Sequence, residues 1–176
     1  MRLINTHTMQ LEWFLDADHA PPFAILSHTW DDDEVTFQDF EAMAKAATSS
    51  KAFFWQMLPW PFSQTQTAAP ASQMKGYTKI AETCRRAGEV SELQYAWVDT
   101  CCIDKTSSAE LSEAINSMFR WYQVSQVCYV RLADINKQTH AKTPGSLDRC
   151  RWFTRGWTLQ ELIAPTKVEF YDKHWA

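Results

Sequence analysis

The chain has no run of basic residues, no glycine-rich phosphate loop, no C-x-x-C pair and no apolar stretch of membrane-spanning length. Each absence removes a class of function. Without a basic run nothing is placed to neutralise the phosphates of a nucleic acid, and the net charge of 17 − 21 = −4 points the same way. Without a glycine-rich loop, dinucleotide binding of the Rossmann kind is disfavoured. The cysteines (Cys84, Cys101, Cys102, Cys128 and Cys150) are odd in number and two are adjacent, so neither a disulfide framework nor a zinc knuckle is indicated. Reduced, buried thiols in the cytoplasm are the expectation. The first residues lack a signal-peptide core, so neither export nor a membrane span is expected. Asp31-Asp32-Asp33-Glu34 is an acidic run, but it lacks the spacing and the glycine of a cation-binding loop. It reads as a solvated loop, and no metal site is expected.

What is present suits one ordinary domain. At 176 residues and 45% hydrophobic, the chain is long enough to bury a core. Its 9 Trp, 10 Phe and 5 Tyr favour an aromatic interior or pocket. Arg2-Leu3-Ile4-Asn5 reads as a short edge strand, and Leu11, Phe14 and Leu15 as one amphipathic turn. Phe23-Ala24-Ile25-Leu26-Ser27 and Tyr95-Ala96-Trp97-Val98-Asp99 are short apolar runs bounded by turn signals, the pattern of buried strands. Residues 127–132 form a third strand, and 167–171 alternate as a last one. Residues 44–75 read as an irregular insertion holding an aromatic island at 53–62. Tyr77, Ile80, Ala81, Cys84 and Ala87 fall at helical spacing, with Gly88 as the stop. Ser107-Ser108-Ala109-Glu110 has the form of a capping box before a stripe of Leu111, Ile115, Met118, Phe119 and Tyr122. Residues 136–148 read as a polar loop. Strands alternating with helices predict a parallel sheet wrapped by helices, with ligands at the carboxyl ends of the strands. Three segments should meet there: residues 27–31, residues 99–105, and the stretch from 134 to 157 that delivers Glu161.

That last delivery holds the densest chemistry. From Arg151 to Pro165 the chain crowds aromatics and arginines around Glu161, and Thr154 or Gly156 can open a short helix that Pro165 limits. Trp157 and Glu161 stand four apart and share a helix face. On spacing alone they read first as a core indole beside a solvated acid.

Three blocks resemble one family in its order: residues 23–30, residues 95–104, and Gly156-Trp157-Thr158-Leu159-Gln160-Glu161-Leu162-Ile163-Ala164-Pro165. They look like the signature blocks of the fungal heterokaryon incompatibility (HET) domain. The resemblance runs from about residue 23 to 171 and implies a single domain over 1–176. It implies a cytosolic module, often at the N-terminus of larger proteins with sensor or effector domains, that triggers cell death when unlike strains fuse. HET domains are in turn similar to the TIR domain. That likeness implies a flavodoxin-like central parallel sheet of about five strands flanked by helices, and self-association on activation. Some TIR domains cleave NAD with a glutamate four residues after a tryptophan. Trp157 and Glu161 match that spacing, and Ser27 matches a serine after the first strand, but Thr158 stands where the TIR pattern has cysteine.

The resemblance thus implies an NAD glycohydrolase needing no cofactor, with NAD or a related nucleotide as substrate. Glu161 would face the oxocarbenium-like ribose as nicotinamide leaves. Trp157 would stack on a base; Ser27, His28 and Trp30 would line its pocket. Asp99, Cys102 and Lys105 would close the other side, and Arg155 would meet the diphosphate. Two other readings stay open: a hydrolase with Cys102 or Cys101 as nucleophile, His28 as base and Asp99 as orienter, and a non-catalytic scaffold that self-associates through the island at 53–62.

Overall fold

A computed structural model describes residues 1–52, 74–136 and 150–176. Its elements run in chain order as strands β1 (Arg2–Asn5), β2 (Gln10–Trp13) and β3 (Phe23–His28), then helices α1 (Phe37–Ala52) and α2 (Lys75–Glu89). Strand β4 (Tyr95–Trp97), helices α3 (Asp99–Cys102) and α4 (Ser108–Val124) and strand β5 (Val127–Arg131) follow. A 3-10 turn (Arg151–Thr154), helix α5 (Thr158–Ile163) and strand β6 (Val168–Tyr171) close the chain.

The fold is α/β, with a six-stranded, mostly parallel sheet in the order β2-β1-β4-β3-β5-β6. Strands β4, β3, β5 and β6 are mutually parallel, whereas β1 and β2 form an antiparallel hairpin added beside β4. Two readings of the N-terminal residues are corrected here. Arg2–Asn5 is a strand but an interior one, because Gln10–Trp13 pairs outside it in place of the expected amphipathic turn. Leu11 and Phe14 face the core at that edge, Phe14 meeting the Tyr95 ring edge-on at 5.2 Å.

Strand β3 is the centre of the sheet. All six of its residues are buried, which requires cover on both faces since successive side chains point opposite ways. Helix α2 packs on β3 and β4 with Ile80, Cys84 and Ala87 buried. Helix α4 sends Trp121 and Tyr122 onto the Trp97 ring, at 5.5 and 6.1 Å between centroids. The cap of α4 is half the expected box: the Ser107 hydroxyl accepts from the Glu110 amide, while the Glu110 carboxylate turns to the Asp104 amide and Arg2.

Three boundaries move. Helix α2 passes through Gly88 and ends at Glu89. The loop expected from Asp99 onward begins as the short helix α3. Helix α1 continues to Ala52, into the stretch read as irregular, and the aromatic island at 53–62 lies outside the described residues. The polar loop expected at 136–148 lies outside them too, apart from its first residue.

The two glycines of α2 differ sharply in surroundings. A Cβ on Gly76 would stand 2.7 Å from the Asp33 carbonyl oxygen and 2.8 Å from the Val35 nitrogen, both backbone atoms. A Cβ on Gly88 would meet only the Thr6 side chain, at 3.5 Å. Gly76→Ala should therefore lower stability by about 1–3 kcal/mol by forcing the acidic loop off the helix. Gly88→Ala should raise it by up to about 1 kcal/mol through helix propensity alone. Urea melts of the two variants check this pair of opposite signs.

Candidate active site

The sheet places its chemistry at the carboxyl ends of β3 and β5, where the order of the parallel strands reverses. Ser27 and His28 end β3, and the register sets them beside Val130 and Arg131 of β5. Helix α5 brings Glu161 over this edge. Its first turn is fixed by the Thr158 hydroxyl, which donates to the Trp152 carbonyl oxygen at 2.5 Å, and by the Glu161 amide donating to the Trp157 carbonyl at 3.3 Å. The helix ends at Ile163, before Pro165, as the sequence requires, but Trp157 rather than Thr154 or Gly156 precedes its first residue.

The Glu161 carboxylate is buried, with 5% of the residue exposed. The Ser27 hydroxyl donates to its Oε2 at 2.5 Å, and Arg155 Nη2 stands 3.6 Å from Oε1. Arg155 also donates to the His28 carbonyl oxygen at 2.5 Å, tying the turn before α5 to the end of β3. Burial holds the Glu161 carboxyl above the ordinary glutamate range; the Ser27 hydrogen bond and the Arg155 charge offset this only in part.

Asp99, the first residue of α3, is the second carboxylate. It takes His28 Nε2 at 3.0 Å on one oxygen and the Trp30 indole N–H at 2.8 Å on the other. Burial pushes its carboxyl up, but the His28 contact, the Lys105 charge and the Trp30 donor outweigh that and leave it below the usual aspartate range. The Lys105 ammonium lies 3.7 Å from the centre of the Trp30 ring, and burial lowers its pKa against the pull of Asp99. Two carboxylates at one site are thus pushed in opposite directions by their surroundings, a recurrent feature of active sites.

These groups surround a cavity of about 520 Å³, a size suited to a small molecule. Of the residues proposed from sequence, Glu161, His28, Trp30, Asp99, Lys105, Arg155 and Trp157 line it. Ser27 stands behind Glu161 as its hydrogen-bond donor. Cys102 is not brought in: its sulfur accepts from the Val98 amide at 3.4 Å, and it faces a separate cleft beside Arg2 and Glu110. Burial and the neighbouring Cys102 raise the Cys101 thiol well above the ordinary range, which keeps it protonated. His28 is committed to Asp99.

The sequence reading missed one wall. Leu111, Ile115 and Met118 of α4 line the cavity, with Arg151 and Thr154 across from them. The stripe on α4 was visible as helical spacing, which gave it no place at the site. Ile115 and Phe119 are in fact 45% exposed each, because the face that packs on the sheet is that of Ala114, Trp121 and Tyr122. Trp152 was missed as well. Its indole N–H donates to Ser27 at 2.7 Å from a fully buried ring. Nothing in the spacing of Arg151 or Trp152 signals either role. Among the described residues no group of three or more His, Cys, Asp or Glu is arranged to hold a metal ion, and no helix is long and apolar enough to cross a membrane.

Comparison with known proteins decides the family. The family model described as heterokaryon incompatibility protein (HET) matches residues 23–149, well over half of the chain. The chain belongs to the HET family. A curated relative, vegetative incompatibility protein HET-E-1 of Podospora anserina, is 41% identical over 169 residues, covering 90% of this chain and 10% of the relative. This HET chain therefore spans about a tenth of the length of that relative. No solved structure matches it. The family match ends at residue 149, before α5, so Glu161 lies outside the matched residues.

The two carboxylates should respond oppositely to neutralisation. The raised Glu161 carboxyl makes the folded state bind the extra proton, so this group lowers stability as pH rises through its folded pKa. Glu161→Gln should keep or raise Tm at neutral pH, by about 2–4 °C for a gain near 1 kcal/mol, with the gap closing in acid. The depressed Asp99 carboxyl stabilises the fold above the unfolded aspartate pKa, and this is lost as pH falls through its folded value. Asp99→Asn should lower Tm at neutral pH, with a gap that shrinks below about pH 4. Thermal melts across pH 3–8 check both signs.

Proposed function

We propose that this HET domain is an incompatibility module that acts as an NAD glycohydrolase, with Glu161 as the catalytic carboxylate. The observation that carries the reading is the placement of that carboxylate. It is withdrawn from bulk water at the wall of a ligand-sized cavity, held by Ser27 and Arg155, with the half-exposed Trp157 indole at the same wall. The order of the four parallel strands adds support: numbered among themselves they run 2-1-3-4, the order of the flavodoxin-like sheet. The β1–β2 hairpin is an addition to that pattern.

In the proposed reaction the bond between ribose C1′ and the nicotinamide nitrogen breaks. Its electron pair leaves with the pyridine nitrogen, which becomes neutral, and positive charge develops on the ribose. Glu161 stabilises that charge as a fixed, poorly solvated carboxylate. The oxygen of water then bonds to C1′ and one proton is released, giving nicotinamide and ADP-ribose. Trp157 supplies a stacking face for a base, and Arg155 and Lys105 supply cationic groups for the diphosphate. Asp99 fixes the His28 and Trp30 side of the pocket.

A second reading has the domain self-associate and signal by proximity. It is favoured by Leu159 and Ile163 of α5, exposed at 65% and 61%, and by the exposed Ile115 and Phe119 of α4. Cytoplasmic location and attachment to further domains belong to the same proposal.

The test is nicotinamide release from NAD. Glu161→Gln and Glu161→Ala should each lower kcat by about 100-fold or more. Trp157→Ala should raise KM about tenfold with a smaller effect on kcat, and Cys102→Ala should leave both unchanged. The wild-type rate should rise with pH through a midpoint above the ordinary glutamate value of about 4.3. Absence of release at every protein concentration, with oligomers forming as concentration increases, would instead support the scaffold reading.

A further inference from the structure

We infer that Trp152 is a positioning residue that sets the charge state of Glu161 through Ser27. The inference follows from hydrogen counting along one buried chain of three side chains. The Trp152 indole N–H lies 2.7 Å from Ser27 Oγ, and Ser27 Oγ lies 2.5 Å from Glu161 Oε2. All three residues are buried. An indole nitrogen can only donate. Ser27 therefore accepts from Trp152, and its single hydrogen is left for Glu161.

The direction of the chain has a consequence for the carboxylate. With Ser27 donating, Oε2 must act as an acceptor and cannot carry a proton aimed at Ser27. Were Oε2 protonated, Ser27 would receive two hydrogens and its own would have no acceptor, since no other partner lies within reach among the described residues. An unsatisfied buried hydroxyl costs about 1–3 kcal/mol. The other oxygen, Oε1, faces Arg155 at 3.6 Å, where a positive charge also opposes protonation. Burial favours the neutral acid, and the Trp152–Ser27 chain counters it. Oε1 is then the oxygen left for a ligand, beside the cavity that Arg155 and Glu161 both line.

Trp152 is well held for this task. Its ring is fully buried, with Phe153 and Phe170 packed edge-on at 4.8 and 5.7 Å. Its carbonyl accepts from Thr158 at the start of α5, so one residue fixes both the helix that carries Glu161 and the donor behind its side chain.

This inference rests on the reading of Glu161 as the reacting group, but its test does not require turnover. The Glu161 carboxyl is titrated by carbon-13 NMR and assigned by its loss in Glu161→Gln. Trp152→Phe keeps a ring in the pocket and removes the N–H; it should raise the Glu161 pKa by about one pH unit. Ser27→Ala should raise it as well, and adding Trp152→Phe to Ser27→Ala should change it no further. The inference is overturned if Trp152→Phe leaves the titration unmoved, or if it shifts the titration equally with Ser27 absent, which would mark a packing effect. If the titration shifts as expected in a protein that releases no nicotinamide, the positioning role stands and the NAD reading falls. If release is present, its acid limb should move up with the titration in Trp152→Phe while KM stays the same.

Discussion

A carboxylate withdrawn from water demands partners, and meeting the demand of Glu161 organises this end of the molecule. A buried charge without hydrogen bonds or a counter-charge costs several kcal/mol. Here the partners come from separate parts of the chain: Ser27 from the end of β3, and Arg155 from the turn before α5. Arg155 in turn binds the His28 carbonyl, so it joins the same two segments a second time. Helix α5 has only six residues and exposes much of its apolar surface. It is held in place by these polar ties and by the Thr158 bond to Trp152. The parts of the site that carry charge are thus also the parts that lock the helix to the sheet.

The same edge bears on why part of the apolar stripe of α4, Ile115 and Phe119, stays exposed. Trp121 and Tyr122 turn toward Trp97 and leave Leu111, Ile115 and Met118 beside the strand ends. The cavity is therefore asymmetric, with an aliphatic wall from α4 facing a polar wall of Glu161, Asp99 and Lys105. Asp99 and Glu161 share the cavity but not their environment. Asp99 is surrounded by donors and held ionised, whereas Glu161 is penalised by burial.

Legibility in the sequence followed the range of the interactions. Strands β3, β4 and β5 were readable because each is a short apolar run between turn signals, and helix α4 because Ser107 caps it locally. The hairpin was not readable. Gln10–Trp13 alternates over only four residues, too short a run to signal a strand, and it pairs with β1 along that edge. Asp99 was expected where a strand passes into a loop, yet the strand stops at Trp97 and Asp99 begins a four-residue helix, a unit too short to leave a periodic signal. The stripe of α4 was seen but not linked to the site, since periodicity shows that a face is apolar and not what covers it. Cys102, placed at the site by its neighbours in sequence, turns to another cleft because α3 rotates its side chain away from His28.

By itself the sequence determined the alternation of strands and helices, the reduced thiols as buried small hydrophobes, and the set of polar residues gathered at strand ends. Its motif blocks also determined the HET family, since several residues in fixed order are specified locally. Only the tertiary structure decided which of those residues share a cavity, that β2 and not β1 forms the N-terminal edge of the sheet, and that Trp152 stands behind Ser27. Contacts such as Ser27 with Glu161 span 134 positions. No local propensity encodes a pairing at that separation. It exists because parallel strands return the chain to one edge, and because a carboxylate buried there requires a donor.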